Sequence, residues 1–152
     1  MIDRRQAAIC TAFALPGATL AVSAQTPAAA AHKLADIRIR TGDTTITAEL
    51  TDNATSRDFL RRLPITVTMS RSGEREYHGR PDTPISADGP RQTRVEDGDL
   101  GYWAPGGYLA IFLDKTVRPE IEDLIVMGRV GSDLAAIKRL GASVEMTLES
   151  AR

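Results

Sequence analysis

The sequence predicts a mainly β domain, with about eight short strands and two short helices arranged as a small antiparallel barrel or sandwich. Three observations point there. Apolar and polar residues alternate with a period of two in several segments, as they do when one face of a strand is buried and the other wet. Gly, Pro, Asp and Asn punctuate the chain between those segments, where tight turns need them. The strands also follow one another too closely for the crossover helices that a parallel sheet requires.

The first residues read as an address and not as part of the fold. Met1 to Arg5 carries two arginines against Asp3, Ala7 to Val22 is an apolar run broken only by Thr, Pro and Gly, and Val22-Ser23-Ala24 supplies small residues for signal peptidase. Residues 1–24 are therefore expected to be a signal peptide cut after Ala24. The run is short for a membrane span of roughly 20 residues, and Pro16-Gly17 would break it. Cys10 is the single cysteine and leaves with this segment, so no disulfide framework is available and stability has to come from an apolar core. Residues 25–33 form a small-residue linker, and 34–152 has the length of one domain without a composition break. The expected location is periplasmic or secreted.

Within that domain, Asp36 to Arg40 and Thr45 to Leu50 alternate around Gly42-Asp43 and predict a β-hairpin with Ile37, Ile39, Ile46, Ala48 and Leu50 on its dry face. A helix follows, capped by Asp52 or Asn53 and stopped by Pro64. Ser56, Phe59, Leu60 and Leu63 share one of its faces, and the arginines near its end suit the helix dipole. Ile65 to Ser70 alternates again and can pair with a short strand near Glu76 to Arg80. The connection from Pro81 to Arg94 holds three prolines and few apolar residues, and is expected to be a long loop acting as a lid or a flap.

The stretch Asp97 to Leu113 follows, with a turn, a short strand, a Pro-Gly-Gly corner and an apolar strand. It carries the only Trp and two of the three Tyr, so any pocket is expected to use it as a wall. Strand alternation sends Tyr102 and Trp103 to opposite sides, and puts Tyr108 and Phe112 on one side with Leu109, Ile111 and Leu113 on the other. Asp123 to Arg129 reads as a buried strand. Ser132 or Asp133 can cap a short helix that Gly141 ends, with Leu134, Ile137 and Leu140 inward, and Ser143 to Glu149 alternates as the last strand.

Charge excludes some functions. There are 19 Lys and Arg against 20 Asp and Glu, interspersed, so no basic face for nucleic acid stands out and no membrane role is expected after cleavage. The two histidines, His32 and His78, do not make a zinc site, and HExxH, CxxC and G-x-S-x-G motifs are absent, so no metal or cofactor is expected. His78 reads as a strand residue with an ordinary hydrogen bond. Glu96-Asp97-Gly98-Asp99 lacks the ligand spacing of a calcium loop and reads as a turn in which Asp99 holds backbone.

Taken together, Leu63 to Met69 (LPITVTM), Gly98 to Gly107 (GDLGYWAPGG), Leu109 to Phe112 (LAIF) and Gly128-Arg129-Val130 before a short helix and a final strand resemble the small bacterial cyclophilin-like proteins. The resemblance spans essentially all of the mature chain. It implies a closed eight-stranded antiparallel β-barrel with a helix over each end. True cyclophilins isomerise prolyl bonds with an arginine in a Phe- and Met-rich strand motif followed by Gln-Gly-Gly, a motif absent here. Arg71 is the nearest basic residue.

Three functional readings follow. The first is a non-catalytic binding module whose peptide or small-molecule ligand meets Tyr102, Trp103 and Tyr108 beside the 81–94 loop, with Arg71 a further binding candidate. The second is a peptidyl-prolyl cis/trans isomerase using Arg71. The third is a small enzyme of another class, in which Arg71, His78 and a carboxylate such as Glu96 would converge on one pocket. No oligomeric state is legible.

Overall fold

The computed structural model describes residues 31–152. The expected signal peptide and residues 25–30 of the linker lie outside the described residues. The elements are β1 (Lys33–Thr41), β2 (Thr44–Thr51), α1 (Ala54–Arg62), β3 (Ile65–Ser72), β4 (Glu76–Gly79), β5 (Gln92–Arg94), β6 (Asp99–Trp103), β7 (Tyr108–Phe112), β8 (Glu120–Val130), α2 (Leu134–Lys138) and β9 (Ser143–Ser150). Every strand pairing is antiparallel.

Eight of the strands run β2-β1-β9-β3-β4-β7-β6-β8, and a β2–β8 pairing closes them into a barrel. Closure removes the free sheet edges that an open sheet would expose. Gly128 makes the closing pair possible. It lies opposite Leu50, and a Cβ there would come within 2.2 Å of the Glu49 carbonyl oxygen. The alternation read from the sequence fills the barrel: Ile37, Ile39, Ile46, Leu50, Val67, Met69, Leu109, Ile111 and Leu148 are all buried.

The helix α1 plugs one end. Its cap is Asn53, whose side chain accepts the Ser56 N–H at 2.9 Å and donates to the Val126 carbonyl at 3.1 Å. Asp52, the other cap candidate, pairs with Arg57 instead. Phe59 is fully buried beneath the helix, and the Ser56 hydroxyl donates to the Met127 carbonyl at 3.0 Å. In α2, Ile137 is buried, with Leu134 and Leu140 packed partly against the core. Asp133 stands at its N-cap position without a side-chain cap, and the helix ends at Lys138, before Gly141.

The 81–94 connection departs from expectation. Its last residues form a ninth strand, β5, paired to the stretch of β8 that β2 does not reach. The part before it is pinned down and does not stand free as a flap. Ile85 is buried with its N–H on the Tyr102 hydroxyl at 3.3 Å, the Ser86 N–H reaches the Asp58 carboxylate at 2.8 Å, and the Gly89 N–H reaches the Thr55 hydroxyl at 2.9 Å. One buried isoleucine and three side-chain acceptors tie the segment to α1 and the adjoining barrel end, because its own backbone groups must be satisfied once it packs there.

Candidate functional site

The cavity of interest lies outside the barrel, over the outward faces of β4, β7 and β6. Strand register explains why it exists. Across these strands Glu76 pairs with Phe112, His78 with Ala110, and Ala110 with Gly101, while Trp103 pairs with Tyr108. The middle row therefore carries two small residues between bulky rows, which leaves a trough over Ala110. Leu124 fills the space beside Gly101, where a Cβ would meet its Cδ1 at 2.7 Å. Val95, Ala110, Phe112 and Leu124 form a second small core, with Trp103, Ile121 and Val126 against it.

The far lip of the trough is the segment 118–122, which completes a cavity of about 670 Å³. That volume lies within the usual range for small-ligand sites, roughly 300–1,000 Å³. Arg75 holds the lip in place. Its Nε donates to the Arg118 carbonyl at 3.1 Å and its Nη2 to the Glu120 carbonyl at 3.4 Å, while the guanidinium lies 5.4 Å from the Phe112 ring centroid. Trp103 ties the lip from the other side, donating its indole N–H to the Glu122 carbonyl at 2.9 Å. The next residue, Asp123, has φ 58°, a left-handed conformation that bends β8 at this point.

The aromatic wall is built by the turn between β6 and β7. The Gly107 N–H closes it on the Trp103 carbonyl at 2.9 Å. Gly106 leaves room for the indole, since a Cβ there would stand 2.4 Å from Trp103 Cζ3. Trp103 and Tyr108 stack with ring centroids 6.4 Å apart, Arg80 lies 4.6 Å from the Tyr108 centroid, and His78 meets the edge of Tyr108 at 5.7 Å.

The polar wall comes from β4, where Glu76 and His78 share the outward face. Glu76 Oε1 is 3.9 Å from His78 Nδ1. Glu76 Oε2 and His78 Nδ1 are both buried without a hydrogen-bond partner among the described residues; Arg75 Nη1 pairs with Oε2 as an ion pair at 3.2 Å without hydrogen-bond alignment. The ordinary hydrogen bond expected of His78 is not made through Nδ1; its partners across the strands are Ser70 on β3 and Ala110 on β7, and its ring meets the edge of Tyr108.

The four binding candidates read from the sequence are separated by the fold. Trp103 and Tyr108 line the cavity. Tyr102 faces the barrel interior, 3 % exposed, as the two-residue period requires. Arg71 is directed towards α2, donating to the Gly73 carbonyl at 2.8 Å, the Lys138 carbonyl at 2.7 Å and the Glu74 carboxylate at 2.9 Å. Nor does the set Arg71, His78 and Glu96 converge. Glu96 pairs with Lys115, and it is Arg75 and Glu76 that accompany His78 in the cavity. Asp99 is a structural residue, buried, accepting the Glu96 N–H at 2.8 Å and pairing with Arg129 at 2.8 Å. Sequence reasoning placed Glu76 and His78 on a strand; their outward direction at i and i+2 was the available signal for the polar wall.

Comparison with known proteins agrees with this architecture. A family model described as the Cyclophilin-like family matches residues 39–149. The solution structure of a hypothetical protein from Archaeoglobus fulgidus is similar, with a TM-score of 0.63 and 23% identity over 77% of this chain and 95% of that one. At that identity the likeness concerns the fold alone. No curated protein matches the chain.

Proposed function

The chain belongs to the cyclophilin-like family, and on that footing we propose that it is a binding module whose ligand, a peptide segment or a small molecule, occupies the outer-face cavity. The observation that carries the reading is the cavity's composition. Apolar Trp103, Tyr108, Ala110, Phe112 and Ile121 supply surface to bury, and a few convergent polar groups, Glu76 and His78 among them, supply orientation. Trp103 and Tyr108 are the binding residues; Tyr102 acts by fixing the 81–91 segment, and Arg71 by joining the β3–β4 turn to α2.

Trp103 is the only tryptophan, so its emission reports on this site without interference. Titration of the full chain with short Xaa-Pro peptides and a small-molecule library should give a saturable emission change, lost in Trp103→Phe as a control and with affinity lost in Tyr108→Ala. Ligands that bind with unchanged affinity in Tyr108→Ala, by calorimetry, would contradict the assignment.

Peptidyl-prolyl isomerisation is the second reading. It is suggested by the fold shared with the prolyl isomerases, whose arginine motif is absent here, and by the presence of Arg118 among the residues lining the cavity, since a guanidinium can stabilise a twisted amide. Uncatalysed prolyl exchange takes tens to hundreds of seconds, so weak catalysis is measurable. Acceleration abolished by Arg118→Ala would establish it; no acceleration leaves the binding module. We further propose export to the periplasm or the exterior, on the charge and apolar pattern of residues 1–24. A mature N-terminus at Gln25 is the expected result of N-terminal sequencing, and an intact Met1 in the exported fraction would refute cleavage.

A further inference from the structure

Pairing the charges around the cavity leaves a positive remainder. Arg75 is matched by Glu76 at 3.2 Å, Arg94 by Glu120 at 3.9 Å and Arg91 by Asp123 at 3.3 Å. Three charged groups then stand without a counter-charge in contact among the described residues. They are the Arg118 guanidinium and the Glu122 carboxylate, both lining the cavity, and Arg80, whose guanidinium lies over Tyr108 at its rim. Two cations against one anion favour an anionic guest.

His78 adds a donor whose charge can change. Nδ1 is the closed side of its ring, buried 3.9 Å from Glu76 Oε1. The side chain is nonetheless 36 % exposed and lines the cavity, and Nε2 is neither buried nor bonded among the described residues, so the open edge of the ring carries Nε2. The charged groups around it are Arg75 and Glu76 just before it in the chain, Arg80 across the Tyr108 ring, and Arg118, Glu120 and Glu122 on the lip. From the neighbouring strands β3 opposes it with Ser70, and β7 with Ala110 and Tyr108. A protonated imidazole at this place is a charged N–H donor facing the cavity.

From these features we infer that the cavity takes a carboxylate carried on an apolar body, with the carboxylate between Arg118 and His78 Nε2 and the body beside Ile121, Trp103 and Tyr108, the half-buried apolar side chains of the lining. A carboxylate has two oxygens, one for a guanidinium and one for an imidazole N–H, and both bonds are charge-assisted. The inference rests on the cavity being the binding site, as proposed above. The carboxylate comes from a free organic acid or from the C-terminus of a peptide. Binding tightens as the pH falls from about 8 to about 6, because imidazoles gain their proton in that window while carboxylates are still ionised.

Four probes separate the contributions: phenylpropionate, phenylpropionamide, phenylpropylammonium and the peptide acid N-acetyl-Gly-Phe. Each is titrated into the full chain at about pH 6 and pH 8, followed by calorimetry and by the side-chain resonances of His78 and Arg118. Phenylpropionate is expected to bind roughly tenfold more tightly than the amide and the ammonium at the lower pH, the gain of a charge-assisted bond, and to lose part of that advantage at the higher one. Arg118→Gln should weaken the acid at both pH values and leave the amide unchanged. His78→Gln should remove the pH dependence, and Glu122→Gln, by deleting the remaining anion, should strengthen acid binding. A tighter peptide acid identifies a C-terminus as the source, and a tighter phenylpropionate a free acid; either supports the carboxylate. Equal binding of acid and amide, or tighter binding of the ammonium, would overturn the anion assignment while the cavity stands. A pH dependence that survives in His78→Gln would overturn the role of His78. If no probe perturbs the cavity, both this inference and the binding-site reading fall.

Discussion

Trp103 donates its indole N–H to the Glu122 carbonyl, 2.9 Å away, and so the aromatic wall of the cavity is tied to its opposite lip. The bond is exposed to solvent, which limits its thermodynamic weight. Trp103→Phe keeps most of the ring while deleting the donor. It should lower unfolding stability by no more than about 1–2 kcal/mol, since one net hydrogen bond and part of an indole are lost. Amide exchange at Glu122 to Leu124 should quicken more than elsewhere; uniform exchange would mean the lip is held by Arg75 alone.

Ala110 is the floor because its methyl group is the short side chain between Tyr108 and Phe112 in the row of β7 that lines the cavity. Ala110→Leu projects into the cavity. Denaturant unfolding should show a change within roughly 1.5 kcal/mol, since the added atoms enter a cavity instead of a filled core. Ligand binding at the site should be lost. Retained binding with a folded variant would place the ligand elsewhere.

Tyr102→Phe separates a core role from a binding role. The hydroxyl accepts the Ile85 N–H, a buried donor that phenylalanine leaves unpaired. Stability should fall by about 1–3 kcal/mol, with the 81–91 segment becoming more sensitive to protease. Affinity for any cavity ligand should not move.

Asp58 predicts the acid behaviour of the same segment. Its side chain is 13 % exposed and pairs with Arg62 at 2.8 Å. The Arg62 hydrogen bond first, then the Ser86 N–H, hold its carboxyl below the usual aspartate range. The unfolded chain therefore binds the proton more readily, so this contribution is complete above about pH 4, the ordinary aspartate value, and is lost as pH falls through the lower native one. Asp58→Asn should flatten the acid limb of the stability profile. An unchanged limb would show that other carboxylates control it.

Much of this architecture was legible because it depends on local alternation. The hairpin of Ile37, Ile39, Ile46 and Leu50, the split of Tyr102 from Trp103, and the outward pair Tyr108 and Phe112 all follow from a two-residue period. The strand β5 was not legible, since its three residues are all exposed and show no alternation. The pinning of the 81–91 segment was hidden because it depends on one isoleucine and on acceptors from α1 and β6 far away in the chain. The polar wall was half visible. Glu76 and His78 fell on a strand, but their meeting with Ala110 and Tyr108 is a matter of register between β4 and β7, which no single segment encodes.

The most direct test of the binding-site assignment is an amide chemical-shift map of the full chain titrated with a mixed set of Xaa-Pro peptides and small aromatic acids, recorded in parallel on Ala110→Leu. Shifts gathered on His78, Trp103, Tyr108 and Ala110 in the wild type, and missing from the variant, are the predicted result. Shifts gathered around Arg71 or the 81–91 segment, or unchanged in Ala110→Leu, would contradict it.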